Sequence, residues 1–193
     1  MTDSIRTALL RKRMSRENMA DECFVTLVLN NQYVIGGLIL GHSLHRAKTT
    51  KRMVCLVGPD VSYERKHQLL DVYDEVLDVE VRRSLDRSKL RLLKRPDLDI
   101  TFTKLQAWKL TKYRKCVFLD ADTLVLKNVD DLFDRPAFAA APDIGWPDCF
   151  NSGVFVFQPS ESTYEELDKL ATSAGSFDGE WSVCLCVCVL VIV

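Results

Sequence analysis

The spacing of apolar positions changes several times along the chain, and each change marks an element. "CFVTLVL" (Cys23 to Leu29) is a short, nearly continuous apolar run, the pattern of a strand buried on both faces. "NQYVIGGLILGHSLHRA" after it reads as a helix. "KRMVCLVG" restores the strand signal, "SYERKHQLLDVY" the helix signal, and "DEVLDVEV" gives a third strand. This βαβαβ opening predicts a mostly parallel sheet with helices on both faces, because parallel strands need crossover connections. Ligands of such sheets bind beyond the carboxyl ends of the strands.

From Arg82 to Arg95, "RRSLDRSKLRLLKR" is polar and basic, and Pro96 interrupts it. "TFTKLQAWKLTKY" predicts a helix with Lys104 in its first turn, leading into the strand "KCVFLD", which ends at Asp120. "NVDDLFDR" predicts a short turn or helix, "AFAAAPD" is another apolar run, "SGVFVFQPS" is a strand and "ESTYEELDKLATSAG" an acidic helix. No linker, repeat or low-complexity segment precedes the last dozen residues. One domain is expected over 23–179, after a polar leader at 1–22 and before an atypical hydrophobic, cysteine-rich tail at 180–193.

Composition narrows the function classes. The 193 residues, 47% hydrophobic and 27% charged, suffice for one domain with a sizeable core, or for most of a larger one. A formal net charge of -1 gives no global field favouring nucleic acid or an anionic membrane, so a charged ligand has to be held locally. The first residues contain basic side chains but no apolar h-region, which argues against a secretory signal and for a cytoplasmic protein. Cys23, Cys55, Cys116 and Cys149 lie in or beside apolar runs and read as reduced core thiols. Cys184, Cys186 and Cys188 in "WSVCLCVCVLVIV" alternate, which is no zinc spacing, and that run is too short to span a bilayer. It is β-prone, uncharged and free of proline, an aggregation-prone composition. A truncation or readthrough product, a filler strand, and a membrane or redox tail are the three readings of it.

"VFLDADTLVLKN" (Val117 to Asn128) carries the chemistry. Two carboxylates one residue apart repel, and each is raised in pKa unless a cation or hydrogen-bond donors stabilise both charges. A hard divalent cation, Mn²⁺ with Mg²⁺ as the alternative, takes oxygen ligands and uses one or two carboxylates together with substrate phosphates. Bridging the carboxylates to a diphosphate, it would stabilise a nucleotide leaving group as a Lewis acid. As an isolated D-x-D, the pair is equally a strand end capping the next turn. "VFLDADTLV" also fits the D-x-D-x-T of haloacid-dehalogenase-like phosphatases, with Asp120 as nucleophile and Asp122 as acid/base. That motif closes the first strand of its domain, whereas three strand signals precede it here.

The wider neighbourhood resembles the glycogenins, retaining glucosyltransferases of glycosyltransferase family 8 with the GT-A nucleotide-sugar (Rossmann-like) fold. The resemblance rests on "FVTL", "LLKRPDL", "FTKLQAW", "YRKCVFLDADTLVLKNVDDLFDR", "AAPDIGWPDCFNSGVFVFQPS" and "GSFDG", in that order from about Cys23 to Gly179. It implies transfer of glucose from UDP-glucose, with Mn²⁺, to a tyrosine of the protein itself. An α-1,4-glucan primer is then built for glycogen synthase, and the family implies a homodimer. By the same resemblance Asp120 and Asp122 are the metal ligands, and Ala121 adds backbone contacts to the nucleotide sugar. Leu27, Asn30 and Tyr33 surround the uridine, although Leu29 replaces a small polar residue usual there. Tyr33 is otherwise a core tyrosine of the first helix. Arg95 binds the diphosphate and Lys104 is a catalytic lysine near the sugar; the bland reading of both is a solvated charge. Asn151, Ser152 and Gly153 recognise the donor sugar, where an amide and a hydroxyl suit its hydroxyls. Asp178 is the acid beside the glucose.

The resemblance stops after Gly179. Trp181 stands where the family has a second acid, and the histidine completing the metal site, a diphosphate-binding lysine and the acceptor tyrosine have no counterpart. Donor binding without efficient transfer is therefore expected of this chain. A non-catalytic fragment that binds UDP-glucose or pairs with complete copies is the alternative.

Overall fold

A computed structural model describes residues 21–81, 102–142 and 150–172. Its strands are β1 (Glu22–Asn30), β2 (Arg52–Asp60), β3 (Glu75–Asp78), β4 (Lys115–Leu119), β5 (Ala139–Pro142) and β6 (Phe150–Phe157). They form one sheet in the order β3-β2-β1-β4-β6-β5. β3, β2, β1 and β4 pair in parallel, while β6 runs antiparallel to both β4 and β5. The helices are α1 (Val34–Arg46), α2 (Tyr63–Leu70) and α3 (Glu161–Thr172), with 3₁₀ helices at Phe102–Lys109 and Asp130–Asp134.

The run that reads as a two-sided strand is β1, the central strand between β2 and β4. Cys23, Val25 and Leu27 point to one face, where they meet Leu105, Trp108 and Leu167. Phe24 and Val28 point to the other, against Val34, Leu40, Leu44 and Leu69. Both faces of the sheet are thus covered, as the alternation implies. Cys23 and Cys116, register partners on β1 and β4, are reduced with their sulfurs 3.4 Å apart, and Cys55 is likewise a buried free thiol. Cys149 and the three tail cysteines lie outside the described residues, as do residues 1–20 of the leader, the basic stretch with Arg95, and Asp178.

Two expectations change in detail. The first helix starts at Val34 rather than Asn31, because Asn30 turns the chain first: its Oδ1 accepts from Gln32 N at 2.9 Å and Tyr33 N at 3.4 Å. The "TFTKLQAWKLTKY" segment is a 3₁₀ helix ending at Lys109, not an α-helix. Phe102, Leu105 and Trp108 recur every third residue, a period of three that suits a 3₁₀ turn as well as one side of an α-helix.

Polar contacts brace the ends. Glu22, buried at the start of β1, accepts from Lys51 at 2.6 Å and from Arg114. Asp130 accepts from Thr49 Oγ1 at 2.6 Å and from Thr50 N and Oγ1, both at 2.9 Å, tying the end of α1 to the second 3₁₀ helix. Burial works to raise the Asp130 pKa, but these hydrogen bonds outweigh it and hold the carboxyl below its ordinary value.

Candidate donor-binding site

The sheet order reverses direction about β1 and β4, and such a switch point is where open α/β sheets leave a crevice. β1 ends in Asn30 and the loop after it carries Tyr33, and the loop after β4 carries Asp120 and Asp122. Because β6 runs back along β4, its first residues also arrive here: Leu119 pairs with Val154, and Asp120 N donates to Gly153 O at 2.8 Å. Antiparallel pairing thereby brings Asn151, Ser152 and Gly153 to the end of β4 at Asp120. A Cβ at Gly153 would lie 2.9 Å from Asn151 Oδ1 and 3.4 Å from Asp120 Oδ2, so a larger residue there would push the Asn151 amide aside.

Lys104 comes in from the 3₁₀ helix on the sheet face that carries Trp108. Its Nζ lies 2.6 Å from Asp120 Oδ1 and 2.9 Å from Oδ2, 3.4 Å from Ser152 O, and 5.2 Å from the centre of the Phe118 ring. At 8% exposure it is no solvated charge. Burial pushes the Asp120 pKa up; the Lys104 ammonium works against this and the Asp122 charge adds to it. Tyr33 is 52% exposed and so is not a core tyrosine; its ring is open to solvent just before the start of α1. Leu27, in contrast, is a core side chain at 9% exposure. Asn151 Oδ1 accepts from Gly153 N at 2.8 Å, which fixes its amide. Arg95 and Asp178 lie outside the described residues.

Among the described residues no group of three or more His, Cys, Asp and Glu gathers around one point. Two carboxylates on a tight turn fit a hard cation that completes its shell with water and phosphate oxygens, as Mg²⁺ does, rather than one held in an all-protein cage. Asp122 is exposed and Asp120 partly so, leaving the crevice side open to such ligands.

Two residues that the motif search passed over hold this turn in place. A Cβ on Gly36 of α1 would lie 2.6 Å from Ala121 O, so the helix backbone presses directly on the D-A-D turn. Seven residues on, Ser43 Oγ accepts from Val125 N at 3.1 Å and donates to Leu40 O at 2.7 Å. Small residues seven apart share one helix face, a readable sign of close backbone approach. Gly36→Ala favours the helix itself, yet it has to displace the turn. With Asp120 and Asp122 as candidate ligands, we expect it to weaken divalent-cation binding at the turn by about 10–100-fold, the range for groups that orient metal ligands. Isothermal titration with Mn²⁺ measures this, and an affinity within twofold of the parent would release Gly36 from the role.

The six-stranded sheet with its switch-point crevice and D-A-D turn defines a GT-A glycosyltransferase domain. Similarity to solved glycosyltransferases agrees. GlyE of Streptococcus pneumoniae TIGR4 superposes with a TM-score of 0.63 at 19% identity, over 89% of this chain and 43% of that one. A galactosyltransferase, LgtC, solved with donor and acceptor sugar analogs, gives 0.50 at 17% identity over 79% and 66%. At such identities the likeness speaks for the fold alone. The chain belongs to glycosyl transferase family 8, whose model matches residues 24–180. It is 57% identical to glycogenin-1 of Mus musculus over 161 residues, which is 83% of this chain and 48% of that protein. Glycogenin-1 of Caenorhabditis elegans is 54% identical over 82% of this chain and 37% of its own length. The chain thus spans about half the length, or less, of these curated relatives.

Proposed function

We propose that this chain carries the donor site of a glycogenin-type glucosyltransferase. In this reading it binds UDP-glucose with Mn²⁺, and the complete protein passes glucose to one of its own tyrosines with retention of configuration. Further α-1,4 additions make the primer that glycogen synthase extends. The supporting observation is the convergence of the D-A-D turn, buried Lys104 and the Asn151–Gly153 strand start at the switch point of the sheet.

Asp120 and Asp122 are the residues that would hold the divalent ion, which when bound supplies Lewis-acid stabilisation of the diphosphate leaving group. Tyr33 offers an exposed ring to the uracil, beside Asn30 at the end of β1, with Leu27 three residues earlier on the strand as the remaining uridine neighbour implied by the family. Ala121 presents backbone to the nucleotide sugar, while Asn151 and Ser152 supply an amide and a hydroxyl for its hydroxyl groups, with Gly153 giving room. Lys104 brings a buried positive charge to the sugar-diphosphate junction, and by the family resemblance Arg95 and Asp178, outside the described residues, are the proposed diphosphate and glucose contacts. A second copy of the chain and glycogen synthase are the proposed protein partners, in the cytoplasm. Among the described residues no helix is long and apolar enough to cross a membrane.

The test is calorimetric titration of UDP-glucose into this chain, followed by intact-mass measurement. Binding that requires Mn²⁺ is the expected result, and a ladder of masses one hexose apart would add transfer to it. Binding indifferent to Mn²⁺ would remove the metal from the reading, and Asp120-dependent release of phosphate from a phosphomonoester would sink it in favour of a phosphatase.

A further inference from the structure

Asp120 already has a cation. The Lys104 ammonium sits within hydrogen-bond distance of both carboxylate oxygens, 2.6 Å from Oδ1 and 2.9 Å from Oδ2. The pair is largely withdrawn from water, with side-chain exposures of 10% for Lys104 and 32% for Asp120. The ammonium is also held from behind, by Ser152 O and the face of Phe118, on a 3₁₀ helix whose Leu105 and Trp108 are locked into the core. A divalent ion approaching Asp120 therefore meets a unit positive charge about one hydrogen bond away, at a depth where water screens poorly. Among the described residues, the positive charge of ion plus lysine exceeds that of the two carboxylates, so the ion alone leaves this part of the site net positive and partly desolvated. A diphosphate reverses that balance. It also offers the ammonium new oxygens, and a lysine on its flexible stem can turn to them.

We propose that Lys104 is the resident counter-ion of Asp120 and makes divalent-metal binding contingent on the nucleotide. The bare site disfavours the ion, which enters together with a diphosphate as the ammonium swings from Asp120 to the phosphate oxygens. This rests on the reading of Asp120 and Asp122 as metal ligands. Binding of ion and nucleotide is then strongly coupled, and by linkage each raises the affinity of the other by the same factor.

Free Mn²⁺ followed by its electron paramagnetic resonance signal, with and without UDP, tests this without any turnover. The parent chain is expected to bind Mn²⁺ weakly alone and at least 10-fold more tightly with UDP. Lys104→Met, which keeps an apolar stem over Phe118, is expected to bind Mn²⁺ alone about 10-fold more tightly than the parent and to lose that factor from the coupling, the remainder coming from phosphate oxygens that ligate the ion directly. Lys104→Gln, which keeps a donor toward Ser152 O without the charge, is expected to behave the same way and guards against a packing defect in the methionine variant. Mn²⁺ affinity in both variants equal to or weaker than the parent's overturns the counter-ion role while leaving the metal site standing. Undiminished Mn²⁺ binding by Asp122→Asn in the presence of UDP overturns the metal site itself, and the counter-ion proposal with it.

Discussion

Asp122→Asn is expected to lower Mn²⁺-dependent UDP affinity by about 10²–10³-fold while leaving the unfolding temperature within about 2 °C of the parent. Asp122 is exposed on the turn after β4, and substitutions at such positions typically change stability by no more than about 0.5 kcal/mol. The isosteric amide keeps the shape and removes the charge. A unit charge about 4 Å from another is worth roughly 4 kcal/mol at the effective dielectric of a protein surface. Allowing for water that takes the vacated position, a loss of about 3–4 kcal/mol corresponds to the stated fold-change at roughly 1.4 kcal/mol per decade. The same change at Asp120 is a poorer experiment. It would leave the Lys104 ammonium buried without its carboxylate, and breaking such a pair costs about 3–5 kcal/mol in its own right. Calorimetry and thermal unfolding on one preparation separate the two outcomes. A fall in affinity of less than threefold in Asp122→Asn would remove it from the ligand set.

The residues announced most of this architecture, and the exceptions have physical causes. β1 was readable because a strand buried on both faces is apolar at nearly every position, and Phe24 and Val25 serve opposite cores. Asp120 was placed at a strand's carboxyl end by the abrupt stop of "KCVFL" alone. The direction of β6 was not readable. "SGVFVF" has the same alternation whichever way it runs, and only the antiparallel register with β4 sets Gly153 against Asp120. Tyr33 stood as either a core or a ligand residue, since the apolar spacing of α1 extends through it; the Asx turn at Asn30 delays the helix start to Val34 and leaves the ring outside. Gly36 and Ser43 carried no motif, because what they supply is the absence of bulk against a backbone. Lys104 was found by resemblance. Its burial against Phe118 and Asp120 is a tertiary fact that no local pattern encodes.

Trp108→Ala is the second large effect, and it joins core to site. Trp108 is almost fully buried, with its ring centre 4.5 Å from that of Phe157 and 5.5 Å from Phe155, which in turn stacks at 5.0 Å on Phe118 beneath Lys104. Truncation leaves a cavity under the 3₁₀ helix and is expected to cost about 3–5 kcal/mol. A domain holds only about 5–15 kcal/mol in all, so the unfolding temperature should fall by roughly 10–15 °C. Leu105 and Trp108, three residues apart, lie on one side of the 3₁₀ turn, and Lys104 precedes them by one position. Loosening that side frees the ammonium from its fixed place over Phe118, so UDP affinity with Mn²⁺ should also fall at temperatures where the variant is still folded. Trp108→Phe, which refills much of the cavity, should recover most of the affinity along with the stability. If the alanine variant melts early but binds UDP as the parent does, the aromatic stack supports the fold alone and Lys104 is positioned by Asp120 and Ser152 without it.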